Sequence, residues 1–416
     1  MTRTLVSPPR DDRAKNGKLP SAFQRSEVGN RSPEGEQQQQ TGVPSKRGLE
    51  AILRTAGVVL NGSMPCDPCV HDERLETRVR KEGLVGLGDA YVDGWWDCPA
   101  VDQFFAKALR ADLPQHLRLH PRVVSDWLRQ RVFNLQTRGG ARRNVEQHYN
   151  LGNDVFTAML DPYLQYTCGY WKSATDLNNA QVDKLDLVCR KLGLRPGMTV
   201  LDLGCGWGGF ARFAAERFGV RVVGITLSTE QAGFARDLCE GCDAEFRLQD
   251  YREVRGEFDR VTSIGMFEHV GPKNYREAMQ VIRKCLKPDG LCLLHFFASR
   301  DSFPNRRRSE VMWINKHVFP GLVVPSLKQI GAAVDGLMVV EDLHNFGADY
   351  DPTLMAWAEN FRRNWPRIAA KYGERFYRMW TYYLLSCAGA FRARRYQLWQ
   401  VLLSPEGVVG GYQPAR

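Results

Sequence analysis

An apolar strand that runs directly into a glycine-rich turn constrains this chain more than any other feature. Residues 199–209 read TVLDLGCGWGG, with glycine at positions 204, 206 and 208, and a helix is predicted to begin near Phe210. Glycine has no Cβ, so the backbone of such a turn can lie very close to a ligand. The spacing is not the G-x-G-x-x-G of dinucleotide-binding proteins. It is D-x-G-x-G-x-G, the pattern that seats S-adenosylmethionine (SAM).

Strands and helices alternate along the chain after that turn. The pattern predicts strands at 221–225, 245–248, 258–264 and 290–297, and helices at 227–239 and 273–286. This alternation predicts an α/β fold, a Rossmann-like parallel sheet with helices on both faces. Ligands of such sheets lie beyond the carboxyl ends of the strands. The segments that follow the strands should therefore surround one crevice, although any one of them taken alone could be an ordinary loop.

The second strand of the sheet ends without the acidic residue that often holds a nucleotide ribose. We therefore expect Gln231, one helical turn further on, to hold the ribose and Asp250 to meet the adenine amino group. The predicted cofactor-binding residues are Tyr166, Thr167, Asp202, Gly204, Cys205, Gly206, Gly208, Thr226, Leu227, Gln231, Gln249 and Asp250.

The charge of the chain points to an anionic partner. The 416 residues carry a formal net charge of +10, which suits either nucleic acid or an anionic membrane. Arginine clusters at 142–143, 306–308, 362–363 and 392–395 recur beside tryptophan and tyrosine, which favours a membrane surface. We predict no nucleic-acid partner, because Gly265-Met-Phe-Glu268 stands where base-flipping methyltransferases carry an Asn/Asp-Pro-Pro-Tyr motif.

Cysteine usage and hydropathy indicate the compartment. The chain has 11 cysteines without regular spacing, which is typical of a reducing cytoplasm. It has neither an apolar signal core nor a run of the ~20 apolar residues that span a bilayer. Cys66, Cys69 and His71 lack a second ligand pair at metal-binding spacing, so we predict no metal site.

Composition divides the chain into four parts. Residues 1–46 are polar, with a glutamine run, and are predicted to be disordered. Residues 47–137 are predicted to form a small, mostly helical domain, and 138–143 a Gly/Arg linker. Residues 144–416 are predicted to form the catalytic domain. Its segment 375–404 is apolar on nearly every side, which predicts a helix that is buried or, less commonly, meets lipid.

Several segments, in this order along the chain, resemble the cyclopropane-fatty-acyl-phospholipid synthases. They are His148–Asp154, Gln165–Trp171, Val200–Gly209, Gly265–Tyr275, Trp313–Lys316, His344–Tyr350 and Ser386–Arg394. The glycine turn alone is common to many methyltransferases, whereas Glu-His-Val-Gly together with Asn-Phe-Gly-Ala-Asp-Tyr is far more specific. The resemblance runs from about residue 50 to residue 404.

This resemblance implies an activity. Family members transfer a methylene group from SAM to a cis double bond of an unsaturated phospholipid acyl chain, which forms a cyclopropane ring. Such an enzyme needs an apolar slot, a means of stabilising a carbocation and a base, but no covalent nucleophile. The resemblance also implies a homodimer that uses its N-terminal domain for lipid contact. We expect it to be cytoplasmic and peripherally bound to the inner face of the membrane.

The resemblance further implies that bicarbonate is the base. Its ligands would be the side chains of Cys168, Glu268, His295 and Tyr350 and the backbone of Phe297. Thiol, imidazole and phenol groups can donate hydrogen bonds to an anion, whereas Glu268 needs a proton between itself and the anion. Each of these side chains also has a purely structural explanation. Cys387 lies in a stretch that some family descriptions assign a nucleophile, although methyl transfer to an alkene needs none.

Two other functions remain open from the sequence. A SAM-dependent methyltransferase that stops after methyl transfer would give a methyl-branched lipid or a methylated small molecule. A lipid-binding scaffold would keep the fold without activity. The complete set of base ligands favours ring closure over the first, and the intact glycine turn argues against the second.

Overall fold

A computed structural model describes residues 48–117, 134, 136–140, 152–302 and 309–416. These residues belong to one compact unit. The predicted disordered extension 1–46 and the arginine clusters at 142–143 and 306–308 lie outside the described residues. The division into a 47–137 domain, a 138–143 linker and a 144–416 domain stays a prediction.

The strands and helices follow the predicted alternation. The strands are β1 (Cys69–Val70), β2 (Trp96–Asp97), β3 (Thr199–Leu203), β4 (Arg221–Thr226), β5 (Ala244–Leu248), β6 (Phe258–Ile264), β7 (Leu286–Ser299), β8 (Val339–Asn345) and β9 (Tyr396–Ser404). The helices before the main sheet are α1 (Leu49–Thr55), α2 (Leu75–Val92), α3 (Val101–Arg110), α4 (Leu113–His116), α5 (Asn153–Met159) and α6 (Leu177–Lys191). Those that follow are α7 (Gly209–Phe218), α8 (Thr229–Leu238), α9 (Phe267–Val270), α10 (Tyr275–Cys285), α11 (Ser309–His317), α12 (Leu327–Val334) and α13 (Tyr350–Arg392).

The main sheet has seven strands in the order β5-β4-β3-β6-β7-β9-β8. β3 pairs in parallel with β4 and β6, whereas β9 runs antiparallel to both of its neighbours. The order reverses at β3, because β4 and β6 lie on opposite sides of it. The glycine turn follows β3, so it opens at the switch point where α/β sheets bind ligands.

Both faces of this sheet are covered. On β3, Leu201 and Leu203 join one apolar cluster and Val200 joins the other, as the period of a strand requires. α10 covers the first face with buried residues at helical spacing, among them Tyr275, Met279 and Ile282. The predicted fold class, a Rossmann-like methyltransferase sheet with helices on both faces, is confirmed.

The helices of residues 48–117 pack on the long C-terminal helix α13. Trp96, Phe104 and Tyr382 are buried in one aromatic cluster between them. α13 breaks at Gly373, whose φ is +73°. Arg392, at the end of α13, joins this contact through ion pairs with Asp102 of α3 and Asp351.

The prediction of a helix over the whole segment 375–404 is wrong in its last part. The helix ends at Arg392, Arg394 takes a left-handed conformation (φ +59°), and β9 follows between β7 and β8. The alternative of burial is the correct one for Trp380, Tyr383 and their neighbours. The arginines of this segment are likewise not a free basic patch, because Arg395 pairs with Asp112 while Arg392 is engaged as above. No described helix is long and apolar enough to cross a membrane.

Candidate active site

A cavity of about 170 Å³ opens at the carboxyl ends of β3, β4 and β6. Every predicted cofactor-binding residue except Gly208 lines it: Tyr166, Thr167, Asp202, Gly204, Cys205, Gly206, Thr226, Leu227, Gln231, Gln249 and Asp250. These residues come from five separate segments of the chain, as expected for a crevice at strand ends.

The glycines of the turn do different work. Gly206 has a φ of +54°, and a Cβ built on it would meet no atom within 4 Å, so its backbone is open to a ligand in the cavity. Gly208 caps α7 with a φ of +86°. A Cβ on Gly208 would lie 3.0 Å from the Cβ of Ala235, so this glycine permits helix packing rather than ligand contact.

Hydrogen bonds within the protein determine which atoms of the polar cavity residues remain available to a ligand. Asp202 is buried, its Oδ1 has no hydrogen-bond partner among the described residues, and burial raises its pKa to about 7. Thr226 Oγ1 donates to Gln231 Oε1 at 2.8 Å. Both carboxylate oxygens of Asp250 accept from the guanidinium of Arg252 at 2.8 Å, which fixes that carboxylate at the cavity wall.

Sequence reasoning missed part of the lining. Gln136, Met266, His269, Phe319 and Gly321 also face the cavity. Gln136 Nε2 donates to the carbonyl of Gly321 at 3.2 Å, which joins two distant segments on one side of the cavity. His269 lay in the Glu-His-Val-Gly stretch and could have been found there, whereas no local pattern marks Gln136 or Phe319.

A second group of polar side chains includes Cys168 and Glu268, which are next in sequence to the cavity residues Thr167 and His269. His295 and Phe297 lie on one face of β7, two residues apart. The backbone N–H of Phe297 donates to Glu268 Oε1 at 2.9 Å, and the N–H of Gly265, a cavity residue, donates to the carbonyl of His295 at 2.8 Å. We call Cys168, Glu268, His295, Tyr350 and the backbone of Phe297 the polar cage.

Two buried atoms of the polar cage lack hydrogen-bond partners among the described residues, Glu268 Oε2 and His295 Nε2. Burial raises the pKa of Glu268 to about 7. Burial also lowers the pKa of His295 well below its ordinary value, so the ring is neutral. Gln400 Nε2 lies 3.3 Å from His295 Nδ1; with the amide nitrogen as the donor, the ring proton is on Nε2, where it has no acceptor among the described residues.

Cys168 and Tyr350 are neutral as well. Burial raises the pKa of the Cys168 thiol well above its ordinary value, and it does the same for the Tyr350 phenol. The Cys168 sulfur donates to the carbonyl of Gly169 at 3.2 Å, and Thr353 Oγ1 lies 3.9 Å from it. After burial itself, the largest electrostatic influences that raise the pKa of Tyr350 come from Cys168 and Glu268.

Aromatic rings form a wall beside the polar cage. The ring centroid of Tyr350 lies 6.3 Å from that of Phe297 and 4.4 Å from that of Phe391. Trp357 lies 6.1 Å from Tyr350 and 5.2 Å from Tyr166. The faces of such rings stabilise a positive charge, as a carbocation requires.

Cys387 is not among the residues that line the cofactor cavity. It lines a separate, apolar cavity of about 30 Å³ with Leu84, Phe105, Trp313 and Tyr382. Burial raises the pKa of its thiol to about 12, so the thiolate that a nucleophile needs is not available near neutral pH. Within the described part of the chain, no cluster of three or more His, Cys, Asp or Glu side chains is arranged to hold a metal ion.

Known proteins are similar in sequence to this chain. The family model for mycolic acid cyclopropane synthetase matches residues 136–401. The chain is 50% identical over 368 residues to the cyclopropane-fatty-acyl-phospholipid synthase of Escherichia coli strain K12, covering 88% of this chain and 94% of that protein. It is 38% identical to a probable fatty acid methyltransferase of Pseudomonas putida, covering 80% of this chain and 85% of that protein.

Solved structures share the fold. The mycolic acid cyclopropane synthase CmaA1 complexed with SAH and CTAB is 31% identical, with a TM-score of 0.60 over 63% of this chain and 97% of that chain. The cyclopropane synthase MmaA2 of Mycobacterium tuberculosis gives the same TM-score at 30% identity. With the glycine turn, the cavity at the strand ends and these relatives together, the chain belongs to the cyclopropane synthase family and is a SAM-dependent methyltransferase.

Proposed function

We propose that this enzyme transfers a methylene group from SAM to a cis double bond in an unsaturated phospholipid acyl chain and closes a cyclopropane ring. The observation that carries the proposal is the pair of unpartnered buried atoms, Glu268 Oε2 and His295 Nε2, beside the cofactor cavity. Identity of 50% with a protein named for this reaction supports the choice of substrate.

The chemistry sets out what the chain must provide. SAM supplies an electrophilic methyl group on a sulfonium. The π electrons of the alkene bond one carbon to that methyl group, the sulfur–methyl bond breaks with S-adenosylhomocysteine as the leaving group, and the neighbouring carbon becomes a carbocation. The ring closes when the new methyl group loses a proton to a base. The rings of Tyr350, Phe297 and Trp357 form a wall suited to that positive charge.

The proposed base is a bicarbonate ion in the polar cage, and the donors of the cage fit it. His295 Nε2–H and the Tyr350 phenol are uncharged donors, and the neutral Cys168 thiol would turn its proton from the Gly169 carbonyl toward the anion. Glu268 has a pKa of about 7, so its carboxyl group can be protonated near neutral pH. That proton can lie between a Glu268 oxygen and a bicarbonate oxygen, which would otherwise both be hydrogen-bond acceptors. The Phe297 N–H orients Glu268 by its hydrogen bond to Oε1.

The test of the base is a bicarbonate titration. The purified enzyme is depleted of carbon dioxide and mixed with labelled SAM and vesicles of unsaturated phospholipid. We expect product formation to rise with added bicarbonate in the wild type, and to fall at least ~100-fold at saturating bicarbonate in Glu268→Gln. Activity that is independent of bicarbonate, or a fully active Glu268→Gln, would overturn the assignment of the base.

A methyl-branched product is the second candidate function. The identity of 38% with a probable fatty acid methyltransferase favours it. Both products can add CH₂, but ring formation removes the alkene whereas a methyl branch formed with proton loss from the chain keeps one, so mass spectrometry of the product lipid after ozonolysis separates the two functions.

We also propose that the enzyme works as a homodimer at an anionic membrane surface, on the cytoplasmic side. The net charge of +10 supports an anionic surface. Cosedimentation with phosphatidylglycerol vesicles should weaken as salt rises, and phosphatidylcholine vesicles serve as the control. Light scattering after size exclusion tests the dimer, which a monomer mass would contradict.

A further inference from the structure

Lys184 is a fully buried cation that the proposed mechanism has not used. It lies on α6, its side chain has 0% exposure, and burial lowers its pKa to about 8. Its ammonium group donates to the side chains of Gln165 and Thr167. In the described part of the chain, no carboxylate oxygen lies within ion-pair distance of it, so its charge is not cancelled by a direct partner.

The hydrogen bonds of Lys184 hold a segment that serves both halves of the site. Residues 165–168 give Tyr166 and Thr167 to the cofactor cavity and Cys168 to the polar cage. One face of α6 secures this segment, because Gln181 Nε2 donates to the carbonyl of Thr167 at 2.8 Å one turn before Lys184. Lys184 Nζ lies 3.1 Å from Thr167 Oγ1.

The polar cage itself contains no cation. His295, Cys168 and Tyr350 are neutral, and Glu268 can only be neutral or negative. An anion in such a dry place is costly unless a positive charge lies nearby. Lys184 contacts Thr167, the residue next to Cys168, and its charge acts electrostatically on both Cys168 and His295.

The other buried lysine of α6 is differently placed. Lys191 Nζ lies 3.3 Å from Asp342 Oδ2, and Arg416 pairs with the same carboxylate. Its charge also reaches His295, but Asp342 offsets it locally. The acidic groups that act on Lys184 are Asp161 and Asp202; burial raises the pKa of both, and neither carboxylate is in ion-pair contact with Lys184.

We propose that Lys184 is a positioning residue that holds the Gln165–Cys168 segment and supplies the positive charge that stabilises an anionic base in the polar cage. This inference rests on the proposed function, because it needs an anion in the cage. A single side chain, which belongs neither to the cavity lining nor to the polar cage, thereby supports both the cofactor cavity and the base.

The experiment distinguishes the effect of the Lys184 charge from the effect of its hydrogen bonds to the Gln165–Cys168 segment. Lys184→Met and Lys184→Gln remove the charge, and Lys184→Arg keeps it. Gln181→Leu is the matched control, since it removes a hydrogen bond to the same segment without changing charge. For each variant, the half-saturating bicarbonate concentration is measured in the lipid assay, and the Kd for SAM is measured by calorimetry, which also reports folding.

We expect both uncharged variants to raise the half-saturating bicarbonate concentration about tenfold or more, with a change in the Kd for SAM of less than ~3-fold, because loss of a cation disfavours an anion but not a sulfonium. Lys184→Arg should stay closer to the wild type. If the uncharged variants bind bicarbonate as the wild type does, or lose both ligands in equal measure as Gln181→Leu should, the inference is wrong. A wild type without bicarbonate dependence would instead refute the proposed function. If Lys184→Met fails to fold, Lys184→Gln decides the question.

Discussion

The carboxyl group of Glu268 has two oxygens with different surroundings. Oε1 accepts the Phe297 N–H at 2.9 Å, whereas Oε2 is buried without a partner among the described residues. Burial raises its pKa from 4.5 to about 7. The folded protein therefore holds this proton more tightly than the unfolded chain does.

Glu268 should make the stability of the protein depend on pH. Its raised pKa contributes stability that is fully present below the ordinary pKa and is lost as pH rises toward and through about 7, with ~3 kcal/mol as the upper scale. Glu268→Gln cannot titrate, so its free energy of unfolding should fall less than that of the wild type between about pH 5 and about pH 8. Denaturant unfolding at both pH values measures this. Parallel pH dependence of the two proteins would contradict the buried, protonated carboxyl.

The thiols of Cys168 and Cys387 should respond differently to the same substitution. Cys168→Ala removes a donor from the polar cage, so activity should fall at least ~10-fold. Cys387 lines the separate apolar cavity, and Cys387→Ala should keep activity within about threefold, because its thiol is neutral. Initial rates of lipid product formation measure both. A loss of activity in Cys387→Ala at unchanged stability would restore a catalytic role for it.

Residue identities in the site were predictable where a short motif carries them. Asp202 and Gly206 stand in the glycine turn, and Glu268 stands in Glu-His-Val-Gly. No local pattern identifies the distant residue that contacts each of these groups and sets its tautomer or its charge. Gln400, on β9, fixes the tautomer of His295 across more than a hundred residues of chain, and Lys184 contacts Thr167 only because α6 folds back on that segment.

At the level of elements, the turn after β3 should tolerate no side chain at Gly206. Gly206→Ala places a Cβ in the cavity at a φ of +54°, so the Kd for SAM should rise at least ~10-fold. Gly241→Ala is the matched control, because its φ is +83° and its Cβ would also meet no atom, but it lies outside the cavity lining. Calorimetry should show normal SAM binding for the control. Equal losses in both variants would mean that backbone strain alone is responsible.

A buried carboxylate ties α2 to α11. Asp89 Oδ1 accepts from Trp313 Nε1 at 3.0 Å and contacts His317 Nε2 at 2.7 Å, and Lys316 pairs with Oδ2. These contacts lower the pKa of Asp89 to about 2. Phe319, two residues beyond α11, lines the cofactor cavity, so this tie connects the N-terminal helices to the site.

Removal of the Asp89 carboxylate should affect the cofactor cavity. Asp89→Ala should lower the free energy of unfolding by ~3 kcal/mol, because it leaves buried donors unpaired. It should also raise the Kd for SAM, since Phe319 loses its support. Glu50→Ala removes an exposed i,i+4 pair and should change neither quantity. Unfolding and calorimetry on both variants decide it, and unchanged SAM binding in Asp89→Ala would show that α11 does not transmit the effect.

Element boundaries were predictable where period and turn chemistry agree. The predicted strand at 258–264 has the bounds of β6, and the helix predicted near Phe210 begins at Gly209. The boundary between α13 and β9 was missed because the segment is apolar on both sides of it. In a buried element that is apolar all round, periodicity cannot distinguish helix from strand.

For the molecule as a whole, the alternation of strands and helices was enough to predict the parallel strands β3 to β7, because it leaves few topologies that place helices on both faces. It predicted neither β8 nor the antiparallel β9, which make the sheet mixed. It was not enough to predict how residues 48–117 meet the rest. That contact depends on α13, whose last residue, Arg392, pairs both with Asp351 near the start of the same helix and with Asp102 of α3. Such long-range pairs have no signature in local sequence.

The account depends most on a proton leaving the transferred methyl group. The direct measurement uses SAM with a fully deuterated methyl group, vesicles of unsaturated phospholipid and mass spectrometry of the lipid. The account predicts a cyclopropane whose new carbon keeps two of the three deuterium atoms, with no alkene left at that position. A product that keeps all three in an intact methyl branch would contradict it.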